Sequence, residues 1–372
     1  MKGLILSGGK GTRLRPLTYT RAKQLLPLAN KPVLFYAIEA LIEAGICDIG
    51  IVVGDTHAEI EAAIGNASRW GPEISITYIY QPAPLGLAHA VKIAQPFLEN
   101  QRFVMFLGDN LIGEPLTPVI SHFAAPDCPY QCSILLAEVP NPQQFGVAEI
   151  DTTSGTPDPK MMRVRRLVEK PLHPPSNLAL VGMYCFDPTI FQAVESIQPS
   201  ARGELEITDA IQWLIDHTYQ VHAQLLAGYW IDTGKMEDIL DANRQILLGI
   251  SPSIASSAVV SPTSVLSGAV VLQADCVIEN SVVRGPAIIG ERTVLRNAYI
   301  GPFTSVYHDV VVEASEIEYS ILLEHSKVIS VRGRIEESLI GRYAEVHTSS
   351  RKPHGHKLIL GDHSRVGITS PG

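Results

Sequence analysis

The chain has little of several features that define common classes of protein. It holds no run of about 18 apolar residues, so we expect no membrane-spanning helix and no membrane partner. Acidic residues outnumber basic ones, 38 to 29, and the net charge of −9 disfavours a nucleic-acid surface. A charged leader followed by an apolar run and a cleavage site is also lacking at the N-terminus, so we expect no secretory signal.

Cysteine is scarce and its spacing is uninformative. The chain has five cysteines, an odd number, and none forms a Cys-x-x-Cys pair. Disulfide frameworks and zinc sites need paired or regularly spaced cysteines. We therefore expect reduced thiols and a cytoplasmic protein.

A glycine-rich segment near the N-terminus lacks two widespread phosphate-binding signatures. The segment is Ser-Gly-Gly-Lys-Gly-Thr-Arg-Leu-Arg-Pro, residues 7–16. It has no Gly-Lys-Ser/Thr ending of a P-loop, and Leu14 stands where a dinucleotide fingerprint needs a third glycine. Closely spaced glycines still let backbone N–H groups approach a ligand, while Arg13, Arg15 and Lys23 add positive charge. The segment predicts a phosphate-binding loop of another kind.

Strand-like and helix-like segments alternate over the first 240 residues. The predicted strands are residues 3–6, 48–53, 74–80 and 103–107, and the predicted helices are 32–44, 59–64 and 86–97. This alternation predicts an α/β fold with a Rossmann-like, mainly parallel sheet and helices on both faces. Such sheets bind ligands beyond the carboxyl ends of their strands, so the glycine loop, Gln81 and Asp109 should meet at one edge.

From residue 253 the sequence follows a six-residue period. Val271, Val277, Val283, Ile289 and Leu295 are spaced by six, and Ile300, Val306 and Val312 continue the spacing after a slip. Short side chains fill the fifth place of each unit, at Ser281, Ala287 and Thr293. This period is typical of a parallel β-helix.

These patterns predict three regions. We expect a catalytic domain over residues 1–240, a connecting helix and linker over 241–252, and the β-helix over 253–372. The coils should stack independently of the catalytic domain, so a chain cut near Leu248 should keep its chemistry. The β-helix is then structural, or joins copies into a homo-oligomer.

Two carboxylates follow apolar strands. Asp109 comes after residues 103–107, and Asp232 ends Tyr-Trp-Ile-Asp, residues 229–232. A carboxylate at the end of a buried strand is costly unless it is paired or metal-bound. Two converging carboxylates suit Mg²⁺, so we predict Asp109 and Asp232 as its ligands.

The N-terminal segment resembles the signature of the sugar-1-phosphate nucleotidylyltransferases. Gly-Gly-x-Gly-Thr-Arg-Leu-x-Pro begins at Gly8, and Lys-Gln-Leu-Leu-Pro follows at residues 23–27. The resemblance covers nearly the whole chain and extends to the long form with a left-handed β-helix tail. It implies Mg²⁺-dependent transfer of a thymidylyl group from dTTP to α-D-glucose 1-phosphate, for deoxysugar biosynthesis.

The resemblance also implies the substrate contacts. Arg13 and Lys23 act with Asp109 and Asp232 as the catalytic groups. The nucleotide is held by Leu6, Gly8, Gly9, Gly11, Thr12, Arg13, Gln81, Gly86 and Asp109. The sugar phosphate is held by Asn110, Gly146, Glu169, Lys170, Leu180, Tyr184, Arg202 and Glu204. Carboxylates suit sugar hydroxyls, and Lys170 and Arg202 suit the sugar phosphate.

Three alternatives remain open. The same reaction could use UTP or another hexose phosphate, because residue spacing does not separate thymine from uracil. The chain could be a catalytically silent regulatory subunit, although such chains tend to lose the loop arginine, the lysine or a metal aspartate. The β-helix could also carry acyl transfer with a histidine base, for which the candidates are His308, His325, His347, His354, His356 and His363.

Overall fold

The computed structural model describes residues 1–9, 11–151 and 162–348, and these fall into two compact units. The first unit consists of the described residues of Met1–Lys10, Ala22–Leu25 and Val33–Asp232. The second consists of Gly11–Arg21, Leu26–Pro32 and the described residues from Thr233 onward. The last 24 residues of the predicted β-helix, 349–372, with His354, His356 and His363, lie outside the described residues.

A nine-stranded sheet forms the centre of the first unit. Its strands are β1 Lys2–Ser7, β2 Asp48–Val53, β3 Ser75–Tyr80, β4 Phe103–Leu107, β5 Cys132–Glu138, β6 Gly146–Ile150, β7 Met162–Glu169, β8 Leu178–Phe186 and β9 Val221–Leu225. Their order across the sheet is β3-β2-β1-β4-β8-β5-β9-β7-β6. A separate ribbon pairs Asn110–Ile112 with Trp230–Asp232.

Short helices connect these strands. They are α1 Val33–Glu43, α2 His57–Ile64, α3 Leu87–Ile93, α4 Gln95–Leu98, α5 Thr117–Ala124, α6 Ile190–Ser196 and α7 Ile207–Asp216. Single 3₁₀ turns cover Thr12–Leu14, Leu17–Tyr19, Lys23–Leu25, Ser68–Trp70 and Pro142–Gln144. The single helix predicted over 86–97 is divided into α3 and α4, with Pro96 in the first turn of α4, where its missing N–H is tolerated.

Helices cover both faces of the sheet, as the alternation predicts. The side chains of Leu4 and Leu6 on β1 join one core cluster, and Ile5 between them joins the other. The half of the sheet made by β3, β2, β1 and β4 is parallel. In the other half, β8 runs antiparallel to both β4 and β5, and β7 runs antiparallel to β9 and β6.

The carboxyl ends of the parallel strands are aligned. Ser7 pairs with Val53, Val53 pairs with Tyr80, and Leu6 pairs with Leu107. The residues that follow these strands, Gly8, Gln81 and Gly108-Asp109, therefore leave the sheet at the same edge, which is where ligands bind in folds of this type.

The second unit contains α8, Met236–Leu248, and a left-handed parallel β-helix with three sheets. One sheet contains Ser253–Ile254, Val270–Leu272, Ala287–Ile289, Thr304–Val306, Ile321–Leu322 and Leu339–Ile340. A second contains Val259–Val260, Val277–Glu279, Val294–Arg296, Val311–Glu313, Lys327–Ile329 and Glu345–His347. The third contains Val265–Ser267, Val282–Arg284, Tyr299–Ile300, Glu316–Ile317 and Arg334–Ile335.

The coil length explains the slip in the six-residue period. Ala287 pairs with Thr304 and Val294 with Val311, so successive coils here are offset by 17 residues rather than 18. One of the three sides of such a coil is therefore one residue shorter than in an 18-residue coil. The shorter side changes the spacing of the inward-facing residues along the sequence. Leu272 and Ile278 are buried, whereas Val271 and Val277, the first two members of the predicted six-residue series, are half-buried. Ser281, Ala287 and Thr293 are buried as expected.

The N-terminal segments of the second unit are bonded to the β-helix. Arg21 Nη1 donates to both carboxylate oxygens of Glu324 at 2.8 and 3.0 Å, and Asn30 Nδ2 donates to the Val306 carbonyl at 2.8 Å. Arg342 also donates to the Thr20 carbonyl. Residues 11–21 and 26–32, which the sequence assigned to the catalytic domain, are thus grouped with the coils, and a cut near Leu248 would remove their partners. That a chain cut there keeps its chemistry stays a prediction.

A buried amide completes this connection. Asn243 on α8 is fully buried; its Oδ1 accepts from Ala29 N at 2.9 Å and from Ser305 Oγ at 2.7 Å, and its Nδ2 donates to the Phe303 carbonyl at 3.2 Å. One side chain thus joins the short hairpin Pro27–Leu28/Lys31–Pro32, helix α8 and the β-helix. In the described part of the chain, no helix has the length and apolarity needed to cross a membrane.

We expect Glu324→Gln to destabilise the protein by about 2 kcal/mol, because Arg21 would keep its charge in a largely buried position without a carboxylate. The side chains of Arg21 and Glu324 are 16% and 12% exposed. The matched control is Glu345→Gln, since Glu345 pairs with Lys327 at the surface. Thermal unfolding should show a lower midpoint for Glu324→Gln and almost no change for Glu345→Gln. Equal midpoints would show that the buried pair does not hold the N-terminal segment.

Candidate active site

The glycine loop after β1 packs against two polar side chains of the first unit. A Cβ at Gly8 would lie 3.1 Å from Gln81 Oε1, and a Cβ at Gly9 would lie 3.0 Å from Lys23 Cε. Larger side chains would push Gln81 and Lys23 away from the loop. The glycines therefore keep an amide and an ammonium close to exposed backbone N–H groups, an arrangement suited to an anion.

Lys23 and Asp109 form an ion pair at this edge of the sheet. The Lys23 ammonium contacts Asp109 Oδ2, and both side chains are only 14% exposed. Burial raises the pKa of Asp109, but the Lys23 ammonium and the amide of Asn110 outweigh it and hold that pKa below its usual value. Asp109 is thus a buried, ionised carboxylate that needs a cation beside it.

The second aspartate lies on the strand next to Asp109. In the antiparallel ribbon Asp232 pairs with Asn110, the residue after Asp109. Asn110 donates from Nδ2 to Asp109 Oδ1 at 3.1 Å and accepts from Trp230 Nε1 at 2.6 Å. The ribbon therefore brings the two predicted metal ligands onto neighbouring backbones. Trp230, which sequence reasoning missed, fixes the Asn110 amide between them.

Two buried polar atoms flank the loop. Ser7 Oγ and Gln24 Oε1 have no hydrogen-bond partner among the described residues, and their residues are 0% and 1% exposed. Buried polar atoms in native proteins are nearly always bonded to protein, water or ligand. Their place beside Gly8–Gly9 and Lys23 favours a polar ligand at the loop. Both residues lie in segments that the sequence analysis singled out, residues 7–16 and 23–27, but the sequence does not show that their side chains are buried.

The segment from Gln81 to Gly86, which is predicted to hold the nucleotide, is tightly positioned. Gln81 Nε2 donates to the Gly86 carbonyl at 3.3 Å and lies 3.0 Å from His89 Nδ1. Burial lowers the pKa of His89, which favours the neutral ring that can accept from this amide. Gly86 has φ 104°, and a Cβ there would lie 2.3 Å from the Leu205 carbonyl oxygen, so only glycine fits.

Several predicted sugar residues gather at the ends of β6 and β7. Thr208 Oγ1 donates to Glu169 Oε2 at 2.7 Å, and Lys170 Nζ lies 3.5 Å from Glu169 Oε1. A Cβ at Gly146 would lie 2.9 Å from Thr208 Oγ1 and 3.2 Å from Glu169 Oε2. Gly146 therefore leaves room for a polar group beside this carboxylate. Thr208, in the Glu-Ile-Thr-Asp run, is a further polar member of the group.

Arg202 lies among carboxylates. Its Nη2 contacts both oxygens of Glu206 at 2.8 Å, Glu169 Oε1 at 3.2 Å and Glu204 Oε2 at 3.6 Å. Glu206 is only 4% exposed and was missed from sequence, because its position in the motif does not reveal its burial. A sugar phosphate would compete with three carboxylates for this guanidinium. The roles of Arg202 and Glu204 in binding the sugar phosphate stay predictions.

Leu180 and Tyr184 on β8 lie in the core. They are 5% and 4% exposed, and Tyr184 stacks on Phe186 with ring centroids 6.0 Å apart. Burial, with the charge of Glu169 as a smaller cause, raises the pKa of Tyr184. In this structure the two side chains present little surface, so their contact with a sugar stays a prediction. Leu6 is similarly covered, at 8% exposed.

The rest of the glycine loop belongs to the second unit. Gly11 has φ 61° and begins the turn Thr12–Leu14, and its carbonyl accepts from Leu14 N at 3.0 Å and from Thr18 Oγ1 at 2.7 Å. Leu14 is buried and anchors this turn, which carries Arg13. The roles of Gly11, Thr12 and Arg13 at the phosphates stay predictions from the loop sequence.

The chain is similar to known nucleotidyl transferases. A family model described as "Nucleotidyl transferase" matches residues 2–248. The chain is 49% identical over 372 residues, 100% of each chain, to "Glucose-1-phosphate thymidylyltransferase" of Streptomyces griseus. It is 44% identical over 372 residues, 99% of this chain and 100% of the other, to "Low-salt glycan biosynthesis nucleotidyltransferase Agl11" of Haloferax volcanii. A solved UDP-glucose pyrophosphorylase complexed with UDP-glucose matches 66% of this chain and 97% of its own, with a TM-score of 0.58 and 26% identity.

Proposed function

This chain belongs to the nucleotidyl transferase family, and we propose that it transfers a thymidylyl group from dTTP to α-D-glucose 1-phosphate. A phosphate oxygen of the sugar attacks the α-phosphorus of dTTP, the bond to the β-phosphate breaks, and dTDP-glucose and pyrophosphate are formed. The full-length similarity to a glucose-1-phosphate thymidylyltransferase supports this substrate pair. We further propose that the product serves deoxysugar biosynthesis.

The observation that carries the proposal is the Lys23–Asp109 pair beside Gly8–Gly9, with Asp232 on the adjacent strand. Phosphoryl transfer needs positioning and charge neutralisation more than covalent help from the protein. Backbone N–H groups of the loop and the Lys23 ammonium supply positive charge for the triphosphate. Arg13, on the following turn, is proposed as a second cation with a bidentate grip.

Asp109 and Asp232 fit the proposed Mg²⁺. A hard cation of this kind is bound by one or two carboxylates together with substrate phosphates and water. Asp109 already stands beside a cation in the structure, the Lys23 ammonium, so its environment favours the ionised form that a metal requires. When bound, Mg²⁺ would neutralise charge on the phosphates. Lys23 would then be released from Asp109 to bind a phosphate oxygen.

The sugar phosphate is proposed to bind beside Asn110 and Gly146. Glu169, oriented by Thr208, would accept hydrogen bonds from sugar hydroxyls, and the exposed Lys170 would bind the phosphate. Arg202 would reach the phosphate only by exchanging one of its carboxylate partners, and Glu204 would contact the sugar. Leu180 and Tyr184 are proposed as the apolar wall behind these groups.

The context of the enzyme completes the proposal. The five cysteines are unpaired, which is consistent with the reducing cytoplasm. Catalysis is assigned to residues 1–240, the linker to 241–252 and a structural role to the β-helix over 253–372. Ile254, Val259 and Val265 on the first coil are more than half exposed, at 59%, 58% and 54%, which supports self-association into a homo-oligomer there.

Pyrophosphate release across a grid of nucleotides and sugar phosphates tests the substrate assignment. We expect dTTP with glucose 1-phosphate to give the highest kcat/KM, with UTP about tenfold or more lower, the usual effect of one methyl group in an apolar contact. A preference for UTP, or for another hexose phosphate, would change the proposed substrates but would agree with membership of the nucleotidyl transferase family. No release with any pair would favour a silent regulatory subunit.

We expect Asp109→Asn and Asp232→Asn each to lose at least 100-fold in kcat, because lost charge stabilisation of this kind costs about 3–4 kcal/mol. The matched control is Asp127→Asn, an exposed aspartate in the loop after α5, which should keep full activity. Turnover and thermal unfolding are measured for all three variants. A folded Asp109 or Asp232 variant with turnover within about threefold of the parent would remove that residue from the site.

A further inference from the structure

One corner of the β-helix stacks chemically reactive side chains in a column. At this corner the backbone turns through a left-handed residue in each coil, at Asp275, Arg292, Asp309, His325 and Tyr343, with φ between 54° and 59°. Backbone bonds link the successive corners, for example from Arg292 N to the Ala274 carbonyl and from Asp309 N to the Glu291 carbonyl. The coil between Asp309 and His325 is the short one. It places His325 over Asp309 and beside His308.

Two side chains of this column, those of Asp309 and His325, converge with the side chain of His308. His308 Nδ1 and Asp309 Oδ2 are 2.6 Å apart, and the rings of His308 and His325 are nearly perpendicular, with centroids 5.8 Å apart. One possible ligand atom from each of His308, Asp309 and His325 lies within 4.8 Å of the other two, and all three residues are half-buried. The ring of Tyr343 covers the far side of His325, with centroids 4.8 Å apart.

Neighbouring side chains set the position of the Asp309 carboxylate. Arg292 Nε and Nη2 donate to the two oxygens of Asp309, each at 2.8 Å. These bonds and the contact with His308 fix both oxygens of Asp309 within the corner. The added charge of Arg292 is itself balanced by Glu291, whose Oε2 lies 2.9 Å from Arg292 Nη1. The corner therefore has a net negative charge without counting the imidazoles.

We propose that His308, Asp309 and His325 bind one divalent transition-metal ion of the Zn²⁺ type, which fastens two successive coils of the β-helix. Two imidazoles and one carboxylate are a ligand set that Zn²⁺ and Co²⁺ accept, whereas Mg²⁺ takes oxygen ligands. The ion takes the place of the proton shared by His308 and Asp309, and Arg292 keeps its bonds to the outer side of the carboxylate. This site is separate from the aspartates proposed to hold Mg²⁺, and it does not depend on the proposed reaction.

Zn²⁺ titration of the full-length protein by calorimetry tests the proposal, with excess Mg²⁺ present to fill oxygen-ligand sites. We expect one Zn²⁺ per chain, and a rise in the unfolding midpoint that a chelator reverses. His325→Asn and Asp309→Asn are the test variants, because asparagine tolerates the left-handed backbone at these corners. Each should weaken Zn²⁺ binding at least tenfold and remove the rise in midpoint. Since the two positions lie on different coils, one variant keeps the test valid if the other does not fold.

Other histidines provide the controls. His347→Gln changes an exposed histidine of the same β-helix, and a second control replaces His354, His356 and His363 together by glutamine. Both should keep the binding constant of the parent. The visible spectrum of the Co²⁺-loaded protein should also weaken in His325→Asn and remain unchanged in the controls.

Three results would overturn the proposal. Zn²⁺ binding that is lost in the triple variant of His354, His356 and His363 would assign the ion to those histidines. Binding that persists in folded His325→Asn would show that the corner does not ligate the metal. Absence of binding by the parent protein would leave His308, Asp309 and Arg292 as a hydrogen-bonded corner only.

Discussion

The structure of the proposed site depends on the ion pair between Lys23 and Asp109. A carboxylate at the end of the buried strand β4 is strongly unfavourable without a cation, and Lys23 supplies one from the segment just after the glycine loop. Gly9 has no side chain because one would displace the Lys23 stem. Asn110 bonds the same carboxylate, accepts a hydrogen bond from Trp230 and pairs with Asp232 across the ribbon. The loop and the antiparallel ribbon are thus arranged around one buried charge.

Two segments near the N-terminus, residues 11–21 and 26–32, are grouped with the β-helix in the second unit. The turn that carries Arg13 belongs to the same compact unit as α8 and the coils. Within that unit, Arg21 pairs with Glu324, and the buried Asn243 amide joins the hairpin at Ala29 to α8 and to Ser305. If Arg13 acts on the triphosphate, as the family signature implies, the coils stabilise the segment that presents it.

Local pattern predicted much of this fold, and long-range packing explains what it missed. β2 and β4 were predicted with their observed bounds, because buried parallel strands are continuous apolar runs bounded by turns. The antiparallel half of the sheet was not predicted, since the spacing of apolar residues within a strand does not identify the strand that it pairs with. Val271 and Val277 begin the predicted six-residue series but are only half-buried, because a strict period assumes equal sides and a 17-residue coil has one shorter side. Of the carboxylates around Arg202, Glu206 was missed, since its burial depends on packing around α7.

We propose that Lys23 changes partner during the reaction, from Asp109 to a phosphate of the nucleotide. It is tested most directly by the steady-state kinetics of Lys23→Met, which keeps the stem and removes the charge. At saturating Mg²⁺ we expect a loss of at least 100-fold in kcat, about 3 kcal/mol of charge stabilisation, with KM for glucose 1-phosphate changed by less than about threefold. Circular dichroism and thermal unfolding would establish that the variant is folded. A folded Lys23→Met protein that keeps its kcat and changes only KM would show that Lys23 does not act on the transferring phosphate.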